Sequence, residues 1–292
     1  MQFTGSFVAL LTPFRQGVVD ERAFQDFVAW QIAEGTDGLV PCGTTGESPT
    51  LSHDEHKRVI ELTIEVAKGK ATIMAGAGSN STAEAIDFTR HAQKAGADAV
   101  LSVCPYYNRP TQEGLYQHYK AIHESSDIPI FIYNIPGRSG VDMSIDTMKR
   151  LAELPRIVGV KDATADLARP LRTKLAIGAD FIQLSGEDIT VVPYLAQGGH
   201  GCISVTANVA PRLCAELHRA WHAGDLAKVT AINDRLAPLS DAMFVESSPA
   251  PVKYAVSLLG KCQNEIRGPL VPASANARDR VDAAMRQVGL IN

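Results

Sequence analysis

Lys161 is the residue whose surroundings in this sequence most strongly indicate covalent chemistry. It ends an apolar run that begins at Ile157, and Asp162 follows it directly. A short apolar run of this kind is typical of a buried parallel strand. Burial disfavours the ammonium form of a lysine and lowers its pKa, and a neutral amine can attack a ketone to form a Schiff base. Taken alone, a solvated lysine just past a strand end is the commoner case.

Other side chains suited to the same chemistry follow other apolar runs. Thr44 and Thr45 stand between two glycines, where hydroxyls and backbone N–H groups can bind a small carboxylate or relay a proton. Tyr133 ends another run, and its phenol could move protons. Arg138 follows in a glycine-bounded loop, where a guanidinium could hold a carboxylate. The ordinary alternatives are a turn bonded to its own backbone, a packed tyrosine and a solvated loop charge.

The elements that must position these residues are eight short apolar runs separated by helical patterns. Helix starts are predicted at Asp20 as an N-cap and at Ser52 and Ser81 as capping boxes. Even spacing, without a GxGxxG motif after the first run, favours an α/β fold of the (β/α)8 TIM-barrel type over a doubly wound open sheet. The carboxyl ends of the strands then converge on the face where barrel active sites lie. The predicted strands are Phe7–Leu11, Gly38–Val40, Ala71–Ala75, Ala99–Val103, Ile130–Tyr133, Ile157–Lys161, Phe181–Ser185 and Gly201–Val205.

The pattern changes after the eighth predicted strand. From about Ala210 onward the chain has helical patterns and no convincing strand. We therefore predict a barrel with the active site over residues 1–224 and a helical C-terminal region over residues 225–292. The 292 residues suit one barrel of about 250 residues with such an extension.

Composition and charge narrow the class of protein. Hydrophobic residues make up 45% of the chain, so a large core can form, and a net charge of −4 favours neither nucleic acid nor an anionic membrane as a partner. The N-terminus lacks the basic and apolar regions of a signal peptide, and no apolar stretch reaches membrane-spanning length. The five cysteines are scattered without CxxC spacing, which indicates reduced thiols and a cytoplasmic location.

A metal site is conceivable at the start of two predicted helices. His53 and His56 are one helical turn apart, and Asn80 and Glu84 share a face of the next helix. Neither an HExxH motif nor a second carboxylate accompanies them. We therefore predict that the protein holds no metal.

Several segments, taken in order, resemble the dihydrodipicolinate synthases, also called 4-hydroxy-tetrahydrodipicolinate synthases. These enzymes belong to the pyruvate-dependent Schiff-base aldolases, which include N-acetylneuraminate lyase. The resemblance covers essentially the whole chain. It implies a (β/α)8 barrel with a helical C-terminal region, a homotetramer, and a lyase of diaminopimelate and lysine biosynthesis that needs no metal or organic cofactor. The most specific segments are Gly43–Glu47, Tyr106–Pro110, Tyr133–Arg138, Val160–Asp162 and Ile203–Asn208.

The resemblance also implies roles for individual residues. Lys161 forms an imine with pyruvate, and the enamine derived from it attacks L-aspartate 4-semialdehyde. Tyr133 handles protons together with Thr44 and with Tyr107, which reaches in from a neighbouring subunit. Thr45 helps to hold the pyruvate carboxylate, and Arg138 holds the semialdehyde carboxylate. Gly186 and Ile203 contribute backbone carbonyls near the lysine.

A regulatory site is implied as well, because lysine-inhibited members bind free lysine at a subunit interface. One carboxylate among hydroxyl, imidazole and amide groups suits a cationic amino acid, so feedback inhibition by lysine is expected. Pro49 stands where many relatives are expected to carry a small flexible residue, and it could stiffen this loop. The matching residues are Ser48, His53, His56, Asn80, Glu84 and Tyr106.

Two other functions compete with this one. An N-acetylneuraminate lyase or a keto-deoxy sugar acid aldolase would share Lys161 and Tyr133. Arg138, together with the two threonines, favours a short carboxylated aldehyde over a sugar. A catalytically silent barrel that only senses a ligand is the other alternative, and the complete set of Thr44, Tyr107, Tyr133 and Lys161 argues against it.

Overall fold

The computed structural model describes residues 3–292. Residues 1 and 2, which the predicted barrel range of 1–224 includes, lie outside the described residues. The strands within residues 3–292 are β1 Gly5–Ala9, β2 Phe14–Arg15, β3 Val18–Val19, β4 Gly38–Val40, β5 Thr72–Gly76, β6 Ala99–Val103, β7 Ile130–Asn134, β8 Ile157–Asp162, β9 Ile182–Ser185 and β10 Gly201–Ser204.

Helices lie between the barrel strands and after the last of them. The α-helices of the described chain are α1 Glu21–Ala33, α2 His53–Ala67, α3 Thr82–Ala95, α4 Gln112–Glu124, α5 Pro136–Ser139, α6 Ile145–Ala152, α7 Arg169–Ile177, α8 Val191–Ala196, α9 Pro211–His222, α10 Leu226–Ala242, α11 Ala250–Leu258 and α12 Ala275–Val288. Short 3-10 helices cover Ser48–Thr50 and Thr206–Asn208.

Eight of the strands form a closed barrel in the order β1-β10-β9-β8-β7-β6-β5-β4. At least one helix separates each barrel strand from the next, so the predicted α/β fold of the TIM-barrel type is confirmed. Each predicted strand is present, with its ends displaced by two residues or fewer. Continuous apolar runs predicted the strands correctly because barrel strands such as β7 are buried along their whole length.

A small antiparallel hairpin, β2 paired with β3, was not predicted. Its two-residue loop is formed by Gln16 and Gly17 at positive φ values of 54° and 82°. Two positive φ values match the twist of a tight hairpin, for which asparagine or aspartate is the usual first loop residue. Glutamine gives a weaker signal, and strands of two residues show no periodicity.

The described residues form two compact units. One contains residues 3–4 and 73–203, where β7 pairs with β6 and β8, and β8 pairs with β9. The other contains residues 5–72 and 204–292, where β1 pairs with β4 and the helices α9 to α12 follow one another. The predicted division between residues 224 and 225 is a different boundary, and it stays a prediction.

Helix starts follow the predicted caps with one difference. The N-cap at Asp20 and the capping box at Ser52 are confirmed. Ser81 caps α3 through its side chain, but the Ser79 hydroxyl takes the partners that would complete the box. It accepts a hydrogen bond from Ser81 N at 3.0 Å and donates to the Glu84 carboxylate. A neighbouring hydroxyl therefore replaces the reciprocal bond that the sequence pattern predicts.

His118 on α4 is a buried imidazole that makes the fold sensitive to acid. It is 5% exposed, its Nδ1 lies 2.9 Å from the Thr82 hydroxyl, and burial lowers its pKa to about 4. A histidine in an unfolded chain has a pKa of about 6.5. Between these two values the unfolded chain binds a proton that the folded chain excludes, so stability rises with pH across this window.

We expect that lowering the pH from 7 to 5 reduces the free energy of unfolding by about 2 kcal/mol through His118. The variant His118→Gln should lose this part of the pH dependence. The variant His222→Gln alters an exposed histidine and should keep it. Urea unfolding of the three proteins at both pH values measures the difference, and equal pH dependence in wild type and His118→Gln would contradict the assignment.

Candidate active site

Lys161 lies near the carboxyl end of β8 and is paired across the parallel ladder with Tyr133 of β7. Each of these residues is 6% exposed. The Lys161 Nζ lies 4.2 Å from the centroid of the Tyr133 ring. An ammonium is attracted to an aromatic face at this distance, and a phenol beside an amine can exchange protons with it. The structure therefore brings together two of the predicted catalytic residues.

The turn after β9 passes close to the Lys161 side chain. A Cβ atom on Gly186 would lie 3.1 Å from Lys161 Cε and 2.7 Å from Ala163 Cβ, so a glycine leaves the lysine its position. Ser185 fixes this turn, since its Oγ donates to Glu187 O at 3.0 Å and accepts from Glu187 N at 3.1 Å. Gly186 is thus placed beside the lysine, and its role toward substrate stays a prediction.

Two carboxyl groups near the lysine were not predicted to have a role. Asp162 is 4% exposed and forms an ion pair with Arg169, with 3.3 Å between Oδ2 and Nε. Burial nevertheless raises the pKa of Asp162. Burial also raises the pKa of Glu187, with Asp188 adding to the rise and the Lys161 charge opposing it. Their only signal in the sequence is a position at or just after the end of a predicted strand.

Three further predicted residues lie in the same compact unit. Arg138 is exposed on the single-turn helix α5, which is followed by Gly140 at a positive φ of 71°. Tyr107 is 90% exposed at a φ of 69°, a conformation that is rare for a bulky residue and points to a constraint on its position. Ile203 on β10 is fully buried, and its predicted role through the backbone carbonyl stays a prediction.

Thr44 and Thr45 lie in a tight turn of the other compact unit. The turn is bounded by Cys42 and Glu47, each at a positive φ of 56°. The Glu47 N–H donates to Thr44 O at 3.1 Å, which closes the turn. Thr45 is 3% exposed, whereas Thr44 is partly exposed. Two non-glycine residues in the left-handed region indicate a strained turn that its surroundings hold in place.

The six residues of the predicted lysine site fall into two groups, one in each compact unit. In the first group, Asn80 Nδ2 donates to Tyr106 O at 3.3 Å. Burial and the charge of Glu84 raise the pKa of the Tyr106 phenol. The structure therefore brings these three residues together, while their role in binding lysine stays a prediction.

The second group lies at the start of α2 and in the turn before it. Ser48 begins the 3-10 helix that contains Pro49. His53 is exposed at the first position of α2, and His56 is 3% exposed one turn later. The Cys42 thiol donates a hydrogen bond to His56 O, with Sγ 3.4 Å from the oxygen, so this group adjoins the threonine turn.

A buried cation that contacts the end of the threonine turn was not predicted. Lys253 of α11 is fully buried and forms an ion pair with Glu47, whose side chain is 1% exposed. The second carboxylate oxygen of Glu47 accepts from Arg267 N at 3.0 Å. Lys253 stands 206 residues from Glu47, so no local pattern signals the contact.

Between residues 3 and 292, no three His, Cys, Asp or Glu side chains are grouped so that they could hold a metal ion. None of the helices in this range combines the length and hydropathy needed to span a bilayer. The five cysteines are free thiols, and four of them are buried.

The close approach of Gly186 to Lys161 can be tested by adding one methyl group. In Gly186→Ala the new Cβ should displace the lysine side chain and slow imine formation with a small ketone by about tenfold or more. Gly137→Ala is the matched control, because a Cβ there would meet no atom within 4 Å. Borohydride trapping followed by mass spectrometry measures the imine. An unchanged trapping rate in Gly186→Ala would show that the lysine has more room than the geometry indicates.

Comparison with known proteins places the chain in a family. Residues 2–288 match the model of the dihydrodipicolinate synthetase family. The chain is 66% identical over 289 residues to the 4-hydroxy-tetrahydrodipicolinate synthase of Rhodospirillum centenum, with 99% of each protein covered. It is similar to dihydrodipicolinate synthase from Acinetobacter baumannii complexed with pyruvate, with 45% identity, a TM-score of 0.97, and 99% of this chain and 100% of that chain covered.

A lysine-bound relative shows the same fold. The dihydrodipicolinate synthase of Cyanidioschyzon merolae with lysine bound has 36% identity to this chain and a TM-score of 0.96, with 100% of each chain covered. Similarity therefore extends over the full length at both the sequence and the structural level. The chain belongs to the dihydrodipicolinate synthetase family.

Proposed function

We propose that this chain condenses pyruvate with L-aspartate 4-semialdehyde, the reaction of a 4-hydroxy-tetrahydrodipicolinate synthase in diaminopimelate and lysine biosynthesis. The observation that carries the proposal is the buried Lys161 amine against the Tyr133 ring, with Gly186 leaving room beside it. The full-length similarity to a 4-hydroxy-tetrahydrodipicolinate synthase supports it, and the pyruvate complex of the Acinetobacter baumannii relative supports the first substrate.

The proposed reaction runs through a covalent intermediate on Lys161. The neutral amine attacks the ketone carbon of pyruvate, and the carbinolamine loses water to give an imine. The imine draws electrons from the adjacent methyl group, which loses a proton to give an enamine. The enamine carbon attacks the aldehyde carbon of the semialdehyde. The semialdehyde amino group then attacks the imine carbon, which closes the ring and releases Lys161. The imine itself takes up the electron pair, so the proposal includes no metal or organic cofactor.

Tyr133 is the proposed proton donor and acceptor in these steps, because its ring adjoins the Lys161 amine at 4.2 Å. Thr44 and Tyr107 are proposed to pass protons onward from it. Tyr107 is 90% exposed in the single chain, which supports a role in the site of a neighbouring subunit and hence the proposed homotetramer.

Substrate binding is assigned to groups of different kinds. Thr45 is proposed to donate to the pyruvate carboxylate, and Arg138 to hold the semialdehyde carboxylate through charge-assisted hydrogen bonds. The exposure of Arg138 on its loop supports contact with the second, incoming substrate. Gly186 and Ile203 are proposed to contribute backbone carbonyls beside the lysine.

We also propose that free lysine inhibits the enzyme by binding to the six residues described above. The lysine-bound relative from Cyanidioschyzon merolae supports a site for this ligand within the family. The Glu84 carboxylate would pair with a cationic group of the ligand, and Asn80 and Tyr106 already lie together in this structure. Pro49 lies exposed in the 3-10 helix beside Ser48 and is the residue that could weaken the response.

Two broader predictions accompany the proposed reaction. The five cysteines are free thiols, which supports the predicted cytoplasmic location. The separation into a catalytic barrel over residues 1–224 and a helical region over residues 225–292 is retained as a proposal. It is supported by the three helices α10 to α12, which lie within residues 225–292.

The proposed reaction is tested by separating imine formation from condensation. Wild type should trap pyruvate on Lys161 under borohydride and should turn over both substrates, whereas Lys161→Ala should do neither. Arg138→Ala should still trap pyruvate, while its condensation rate falls about 100-fold or more through loss of a charged contact. Lys149→Ala, in an exposed helix position, is the matched control. Pyruvate bound to another lysine, or condensation of a sugar in preference to the semialdehyde, would contradict the proposal.

Inhibition by lysine is tested with a single carboxylate. Glu84→Gln should weaken lysine binding about tenfold or more, because the ligand loses its counter-charge. Glu113→Gln alters an exposed carboxylate on α4 and should bind lysine as wild type does. Calorimetric titration and steady-state rates with added lysine measure binding and response together. A wild type that ignores millimolar lysine would show that the six residues do not form an effector site in this chain.

A further inference from the structure

The Glu47–Lys253 ion pair is almost completely shielded from solvent. The Lys253 side chain is 0% exposed and that of Glu47 is 1% exposed. The Lys253 Nζ lies 4.2 Å from the centroid of the Phe14 ring, and the Arg267 guanidinium lies at the same distance from that ring. The segments that contain Phe14, Glu47 and residues 253–267 are distant in sequence, and they therefore meet around these buried charges.

A buried ion pair is a weak source of stability, because removing two charges from water offsets most of their attraction. Hydrophobic residues of similar volume often serve the fold as well or better. The presence of this pair at the end of a candidate catalytic turn thus calls for another explanation. Neither Lys253 nor Arg267 has a role in the proposed reaction.

The backbone at Glu47 supplies that explanation. Glu47 has a φ of 56°, a left-handed conformation that a glutamate adopts only when its surroundings hold it. Its side chain is held at both oxygens, by the Lys253 amine and by Arg267 N. Its own N–H closes the turn by donating to Thr44 O at 3.1 Å. The contacts of its carboxylate therefore hold Glu47 in place, and Glu47 in turn holds the threonine turn closed.

We infer that the Glu47–Lys253 pair, supported by Arg267, is a positioning device that sets Thr44 and Thr45 for catalysis. The inference rests on the proposed function, in which Thr44 moves protons and Thr45 holds the pyruvate carboxylate. It adds two residues from the C-terminal part of the chain to the determinants of the site. Lys253 and Arg267 are not proposed to touch substrate, since both act through Glu47.

Arg267 extends the same device toward the predicted lysine site. Its guanidinium donates to both carboxylate oxygens of Glu55, at 2.7 and 2.6 Å, and to Thr50 O at 2.8 Å. Glu55 lies in the first turn of α2, between His53 and the buried His56. If an effector shifted the start of α2, Arg267 would therefore transmit that shift from Glu55 to Glu47.

A double-mutant cycle separates positioning from stability. Glu47→Gln and Lys253→Met each leave one charge buried without its partner, so each should lower the midpoint of urea unfolding. The double variant Glu47→Gln with Lys253→Met removes both charges and should recover most of that loss. Its kcat should nevertheless stay at least about tenfold below wild type with a raised KM for pyruvate, because the threonine turn is no longer held.

The control is Val281→Ala, which truncates a fully buried side chain of α12 and lowers stability away from the site. It should retain wild-type kcat and KM below its unfolding midpoint. A double variant whose kcat and KM return to within about twofold of wild type would overturn the inference and leave the pair a structural feature. Wild type without condensation activity would instead contradict the proposed function.

A milder substitution decides the matter if the double variant does not fold. Phe14→Leu removes the ring that both cations face and keeps the charges and the apolar character of the site. It should lower kcat about threefold or more while retaining the far-ultraviolet circular dichroism of wild type. Wild-type kcat and KM in a folded Phe14→Leu protein would then overturn the inference.

Discussion

The register between β7 and β8 is the constraint on which the proposed chemistry depends. Because Tyr133 is paired with Lys161, their side chains leave the sheet on the same face, and the amine comes to lie over the ring. A slip of one residue would turn either side chain to the opposite face. The neighbouring residues Ile132 and Val160 are almost fully buried and oppose such a slip. Apolar packing in the barrel thereby fixes the distance between the proposed nucleophile and its proposed proton carrier.

The fold and the pairing of Tyr133 with Lys161 could be predicted because local sequence patterns indicate both of them. Strands buried on both faces read as apolar runs, and Tyr133 and Lys161 were noticed because they are polar residues at the ends of two such runs. Residue types near the other strand ends, such as Gly186 and Arg138, carried less information. A carboxylate-binding role could be suggested for Arg138 from its charge and its loop, whereas a role for Gly186 came only from resemblance to a family. The structure places Gly186 beside the lysine, and its role toward substrate stays a prediction.

What could not be predicted depends on contacts between distant segments or on competition between close ones. Lys253 looks like any lysine on a helix until the fold buries it against Glu47. The Ser81 capping box met its sequence rule, yet the Ser79 hydroxyl intervened at short range. The exposure of Tyr107 is visible only in the folded chain. Local rules therefore locate elements well, while the charges that brace a turn emerge from tertiary packing.

The long separation between Glu47 and Lys253 has a consequence for synthesis on the ribosome. All eight barrel strands end by Ser204, so they emerge from the exit tunnel well before residue 253 does. The Glu47 carboxylate of a nascent chain therefore lacks its counter-charge after all eight barrel strands have been synthesised. The threonine turn acquires its brace only when translation is nearly complete. If the pair positions the turn as inferred, a chain that ends before residue 253 would contain every barrel strand and still lack a positioned threonine turn.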